Sequence, residues 1–369
     1  MTQPIAMSEP DLNEADSRAV DAALRSGVLG LGPQAAQFEA LAASVAGVRH
    51  AVAVSSGTAG LHMIVRALGI GPGDRVLVPS FTFAASVNAL LFEGATPVFV
   101  DIEPDTFNLD PAELLSRRTA ETRAVMVVDV FGHPAEWAAI ELAAPDLLLI
   151  DDCCEAIGAS YKGRPIGSFG AAGAFAFYPN KQMTTGEGGM IVTDDDDLAG
   201  LCLSLRNQGR GEMGAWLEHE RLGFNYRMDE MSAALGVSQI GRLDTFLAKR
   251  AHVAAMYTER LSGHEWVRPP VVRADVEMSW FVYVVQLAGD LDRNAVIDAL
   301  AGEGIPSRAY FSPIHLQPYI RERFDTREGM LPITEDVARR TLALPFHNNL
   351  TEAEVERVVS ALARAATTR

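Results

Sequence analysis

Cysteine is scarce: Cys153, Cys154 and Cys202 are the whole complement of 369 residues. Three thiols, two of them adjacent, cannot build a disulfide framework or a metal knuckle, and a reducing cytoplasm is the expected location. Basic charge is also short. Lys and Arg number 31 against 48 Asp and Glu, a formal net charge of −17. General nucleic-acid binding needs a basic face, so it is excluded as the main activity. Hydrophobic residues make up 48% of the chain, yet no run approaches the roughly 20 apolar residues of a membrane span. The first residues include acids and no basic flank before an apolar stretch, so no secretory leader is expected. Internal repeats, low-complexity tracts and long linkers are absent too.

What the chain does have is alternation. Ala51–Val54, Arg75–Val78, Thr96–Val100, Ala124–Val128 and Leu147–Ile150 read as apolar strands separated by helical stretches, which is the pattern of parallel βαβ units. Two further strands, from Ala174 and from Met190, follow with no helix between them, so one edge of the sheet is expected to turn antiparallel. Met231, Leu235, Ile240, Leu243 and Phe246 fall at helical spacing, and Met228–Tyr257 reads as one long helix into a smaller domain. That domain has a strand at Trp280–Val285, a helix from about Arg293 to Glu303, and a capping box, Thr351–Glu354, before a last helix. The length suits two or three domains. The division read here is an N-terminal segment 1–31 across the surface or an interface, a large α/β domain 32–245, and a small C-terminal α+β domain 246–369.

One lysine stands out. Lys181 follows the apolar run Gly173–Pro179 and precedes the glycine-rich turn Thr184–Gly189. An ammonium between two core strands costs several kcal/mol unless it is paired or neutralised. Either Lys181 is a loop-tip lysine that reaches solvent, or it forms a Schiff base with an aldehyde. Upstream, Asp146–Glu155 reads as a buried strand ending in acids, and ligands of open parallel sheets sit outside the carboxyl ends of strands. Asp152 is placed there to face a bound group such as a pyridine nitrogen, whose protonation makes pyridoxal phosphate (PLP) an electron sink. A helix N-cap is the plainer role. Val52–His62 reads as strand, small-residue turn and helix start, where Gly57 permits close approach and free amides attract phosphate.

Phosphate cup, acid and lysine occur in that order, each at a strand end. With Pro79–Phe83, Pro97–Ile102, Phe131–Pro134, Gly223–Met228 and Pro313–His315, the chain resembles the DegT/DnrJ/EryC1/StrS family of PLP-dependent sugar aminotransferases from about Leu29 to the C-terminal region. The resemblance implies the fold type I (aspartate-aminotransferase-like) architecture, with a mostly parallel seven-stranded sheet, and a role in polysaccharide biosynthesis. It implies that Lys181 binds the cofactor covalently and shuttles the proton, that Asp152 pairs with the ring nitrogen and that Phe83 stacks on the ring. Gly57 and Thr58 would hold the phosphate. Asn225 would reach the phosphate of a neighbouring subunit, making the protein a homodimer with shared sites, and His315 would face the sugar nucleotide. On residues alone, Phe83 reads as core, His315 as a pocket-shaping or a structural histidine, and Arg227 as half of an interface ion pair or a contact to a substrate carboxylate or phosphate. Cys153 and Cys154 read as small apolar residues behind the site.

Two positions depart from the family pattern. Ala176 stands where many members have a phosphate-binding serine, so backbone amides and Thr58 are expected to compensate. Glu155 stands where glutamine or histidine is usual, near the expected phenolic oxygen, as in perosamine-synthase-like members that aminate C4 of a 4-keto-6-deoxy sugar nucleotide; its alternative is a helix cap. The expected reaction is amino transfer from an amino acid, L-glutamate by resemblance, to a keto-sugar nucleotide. Competing readings are amination of a keto-cyclitol, a PLP-dependent sugar dehydratase, whose relatives replace the lysine with histidine, and a non-catalytic regulator of the same fold.

Overall fold

The structure, a computed structural model, describes residues 5–211 and 218–367. Its main sheet has seven strands: β1 His50–Val54, β2 Arg75–Pro79, β3 Thr96–Val100, β4 Thr122–Val128, β5 Leu148–Asp152, β6 Ala172–Ala176 and β7 Gly189–Thr193. They lie in the order β1-β7-β6-β5-β4-β2-β3. Only β7 runs against the rest, pairing antiparallel with both β6 and β1. The expected antiparallel strand is therefore second from the edge rather than at it, because β1, first in sequence, adds outside β7. Period-two burial sends alternate residues to opposite faces. Val52, Val54, Val76, Val78 and Ile150 join one apolar cluster, whereas Ala53, Leu77 and Leu149 join the other.

A second sheet, of β8 Val267–Arg268, β9 Tyr283–Leu287 and β10 Thr341–Leu344, is antiparallel in that order. Tyr283, Val285, Leu342 and Leu344 form a third core with Val253, Tyr257, Val358 and Leu362. The last of these helices starts as expected, with Thr351 and Glu354 exchanging hydrogen bonds.

The single long helix expected over Met228–Tyr257 is two helices, Glu230–Ile240 and Leu243–Leu261. The break falls at Gly241–Arg242. Arg242 leaves helical geometry (φ −117°, ψ 9°) and sends its guanidinium to Asp11 and Asp16. Asp16, inside the capping box of helix Glu14–Ser26, also accepts from Ser238 and Gln239. The N-terminal segment is thereby fastened across the surface of its own chain. Among the described residues no helix is long and apolar enough to cross a membrane, and no group of His, Cys, Asp or Glu could hold a metal ion.

Candidate active site

A cavity of about 330 Å³ opens at the carboxyl ends of β1, β4, β5 and β6, where an open α/β sheet leaves backbone groups and side chains facing a crevice. It is lined by Ser56, Gly57 and Thr58 on one side and Phe281, Tyr310 and Phe311 on the other, with Asp152, Glu155 and Lys181 between them.

The first wall follows from the junction of β1 with helix Gly57–Ala67. Ser56 is its N-cap, its Oγ accepting from the Ala59 amide at 3.1 Å. The Gly57 and Thr58 amides at the helix start have no acceptor one turn back, so they face outward with the positive end of the helix dipole. Gly57 is required by crowding: a Cβ there would lie 2.7 Å from the Ala176 Cβ and 2.8 Å from the Cys154 Sγ. Cys154 therefore borders the pocket rather than sitting behind it, whereas Cys153 is core.

Asp152, last residue of β5, is 5% exposed. Ser86 Oγ donates to its Oδ2 at 2.6 Å, and the Cys154 amide donates to its Oδ1 at 3.3 Å. Burial raises its pKa, while Ser86, Cys154 and Lys181 pull it back down. Asp151 points to the opposite face. Its Oδ2 accepts from the Gly167 amide at 2.9 Å, and its other oxygen meets Asp129, also wholly buried. Burial pushes Asp129 up to about 7 and Asp151 well above the usual carboxylate range, so burial disfavours the charged form of both.

Lys181 does not reach bulk solvent. Its side chain is 12% exposed, with Nζ 3.5 Å from Glu155 Oε1 and 3.9 Å from the centre of the Phe281 ring. Glu155 Oε2 accepts from the Phe131 amide at 2.8 Å. Burial raises the Glu155 pKa and Lys181 lowers it. Phe83, 63% exposed at the head of helix Ala84–Phe92, is not core and lines the cavity mouth.

One expected site residue, His315, lies away from the cavity. His315 is 0% exposed, held by Ser80 Oγ at 2.6 Å and Glu335 Oε1 at 3.1 Å. Burial lowers its pKa, and it does not line the cavity. Asn225 is exposed, bridged in strand fashion to Asn207, and does not line its own chain's cavity. Arg227 donates to Asn207 Oδ1 at 3.0 Å. Sequence reasoning missed Ser86, Phe281, Tyr310 and Phe311. The last two lie in the aromatic, proline-rich segment that had drawn attention to His315, but nothing in local pattern says which of its side chains turns inward.

An amine for an aldehyde, a buried acid for a cationic ring nitrogen and free helix-start amides for a phosphate are the handles by which pyridoxal phosphate is held. The donor set fits it, and the arrangement defines a PLP-dependent enzyme of fold type I. The chain belongs to the DegT/DnrJ/EryC1/StrS aminotransferase family, whose pattern matches residues 10–363. It is 42% identical over 334 residues to GDP-perosamine synthase of Caulobacter vibrioides, covering 88% of each chain. Among solved structures it resembles DesV of S. venezuelae in complex with a ketimine intermediate (35% identity, TM-score 0.93, all of both chains). It also resembles DesI in the presence of its TDP-sugar product (33% identity, TM-score 0.91, covering 100% of this chain and 94% of the other).

Proposed function

We propose that this enzyme moves an amino group from an amino acid, L-glutamate by preference, onto the ketone of a sugar nucleotide, with a 4-keto-6-deoxy sugar as the favoured acceptor. The observation that carries this is the placement of Lys181 Nζ between Glu155 and Phe281, in a cavity that ends on Asp152. The names of the relatives, a GDP-perosamine synthase and a protein with a TDP-sugar product, support the acceptor class.

In this reading Gly57 and Thr58 hold the phosphate, Asp152 faces the ring nitrogen, Phe83 covers the ring and Lys181 is the covalent attachment point. Pyridoxal phosphate supplies an electron sink for the carbanion at the donor Cα. Lys181 Nζ accepts and returns the proton, because among the described residues it is the one amine lining the cavity. Glu155 Oε1, 3.5 Å away, keeps a partner for that amine whenever it is protonated. Phe281, Tyr310 and Phe311 exclude water from the reacting atoms and so strengthen these interactions. Ala176 offers no hydroxyl, which leaves Thr58 and the helix-start amides as the anion donors.

The exposed Asn225 is assigned to the site of a second copy, giving a homodimer with shared sites, and the cytoplasm is the proposed location. We divide the chain at 31/32 and 245/246, so that residues 32–245 carry the cofactor handles while 246–369 contribute Phe281, Tyr310 and Phe311. The reading is tested by offering 4-keto and 3-keto sugar nucleotides, and keto-inositols, with glutamate as donor, and identifying products by mass and NMR. Amination of a keto-sugar nucleotide is expected; amination of keto-inositols alone would contradict it.

A further inference from the structure

Arg250 is 1% exposed, in the middle of helix Leu243–Leu261. Among the described residues no carboxylate lies within ion-pair distance of it, although burying an unpaired guanidinium costs several kcal/mol. Its acceptors are backbone carbonyls: Lys181 O at 2.8 Å, Phe281 O at 3.0 Å and Trp280 O at 3.3 Å. Its guanidinium lies 5.5 Å from the centre of the Phe346 ring. Burial lowers its pKa to about 10, which leaves it charged at neutral pH.

Two of these carbonyls, those of Lys181 and Phe281, belong to the residues whose side chains meet at the amine. Around them the backbone is tied closely. Gln182 Nε2 donates to Glu155 O at 2.6 Å and to Ser279 O at 2.9 Å, and Ser279 Oγ donates to Ile157 O at 2.6 Å. Ser279 N donates to Gly132 O at 2.9 Å. Gly132 has φ +89°, and a Cβ there would lie 1.6 Å from Ser279 O. Residue 132 must therefore be glycine for the two segments to cross. Gln182 joins the Glu155 turn to the Ser279 segment, the Lys181 amide donates to Tyr178 O within its own turn, and Arg250 ties the Lys181 carbonyl to the Phe281 segment.

We propose that Arg250 is a positioning residue for amino transfer: its planar fork clamps the Lys181 and Phe281 carbonyls together and so sets Nζ over the Phe281 ring, within reach of Glu155. The role rests on the reading of Lys181 as the attachment point for pyridoxal phosphate. A lysine at 250 has one donor group in place of a fork and holds the two carbonyls less well. Misplacing a reacting atom by a fraction of an ångström to one ångström costs one to two orders of magnitude in rate, on the order of what such a clamp protects.

The test compares Arg250→Gln and Arg250→Lys with Tyr257→Phe. Tyr257 lies on the same helix and loses a bond to Pro345 O, 2.9 Å in the parent, without touching Lys181 or Phe281. Apo-protein of each variant is mixed with pyridoxal phosphate, and the rate of capture is followed by absorbance at a temperature where all are folded, beside the thermal unfolding midpoint. Arg250→Gln is expected to slow capture about tenfold, Arg250→Lys to recover part of that loss, and Tyr257→Phe to capture at the parent rate despite a lower midpoint. Parent-rate capture by folded Arg250→Gln, or equal slowing by Tyr257→Phe, would overturn the proposal. If Arg250→Gln does not fold, Arg250→Lys decides alone, an unchanged rate being the overturning result. Failure of the underlying reading is separate: the parent protein would then capture nothing, or capture at another lysine.

Discussion

Asp151 and Asp152 are neighbours in sequence and opposites in use. Asp152 opens toward the cavity, with Ser86 and the Cys154 amide holding its two oxygens. Asp151 is sealed on the far face with Asp129, where Gly167, Ala135 and Trp137 supply donors but no cation does. One β-strand thus carries an acid that lines the cavity and, one residue earlier, an acid whose charged form burial disfavours. The strand's period of two is what separates them. The lesson is that a charge in this fold is tolerated where a partner will arrive and neutralised where none can.

The sharpest break in that contrast is to neutralise one acid on each face, Asp152 and then Asp129. Asp152→Asn is expected to lower kcat/KM by about two to three orders of magnitude, because the ring nitrogen loses its counter-charge. Steady-state kinetics check it, with the unfolding midpoint close to the parent's. A loss below about fivefold would remove Asp152 from its assigned role.

On the other face the expected effect is on stability. A carboxyl raised by burial stabilises the fold while protonated. Asp129 therefore contributes fully below the ordinary aspartate range near pH 4, and that contribution is lost as pH rises through about 7. Asp129→Asn removes this dependence. Urea unfolding at pH 5 and pH 8 should show the difference between the two pH values shrinking by about 2 kcal/mol in the variant. An unchanged pH slope would contradict the raised pKa of Asp129.

A smaller effect refines the first contrast. Ser86→Ala deletes the 2.6 Å hydrogen bond to Asp152, so more of the acid stays protonated and pyridoxal phosphate affinity falls about tenfold. Absorbance titration of the apo-protein measures it, and parent-like affinity would show that Ser86 only fills space.

Much of this was legible because strong local signals and global topology agree. The strands are apolar, and all seven appear within a few residues of their expected bounds. The Lys181 loop was legible because an ammonium between apolar strands needs an explanation. Three things were not. The order of β1 and β7 depends on long-range pairing that no local pattern encodes. The helix break at Gly241 depends on Arg242 reaching Asp11 and Asp16, more than 220 residues away in sequence. His315 was expected to face a sugar nucleotide through the family resemblance, and only the fold reveals that Ser80 and Glu335 hold both its ring nitrogens.

The most direct test uses the scarcity of lysine. Only Lys162, Lys181 and Lys249 are present, and the other two hold ion pairs with Asp275 and Asp11 away from the cavity. Protein loaded with pyridoxal phosphate, reduced with borohydride and mapped by peptide mass should carry the phosphopyridoxyl group on Lys181. A label on Lys162 or Lys249, or none at all, would contradict the account.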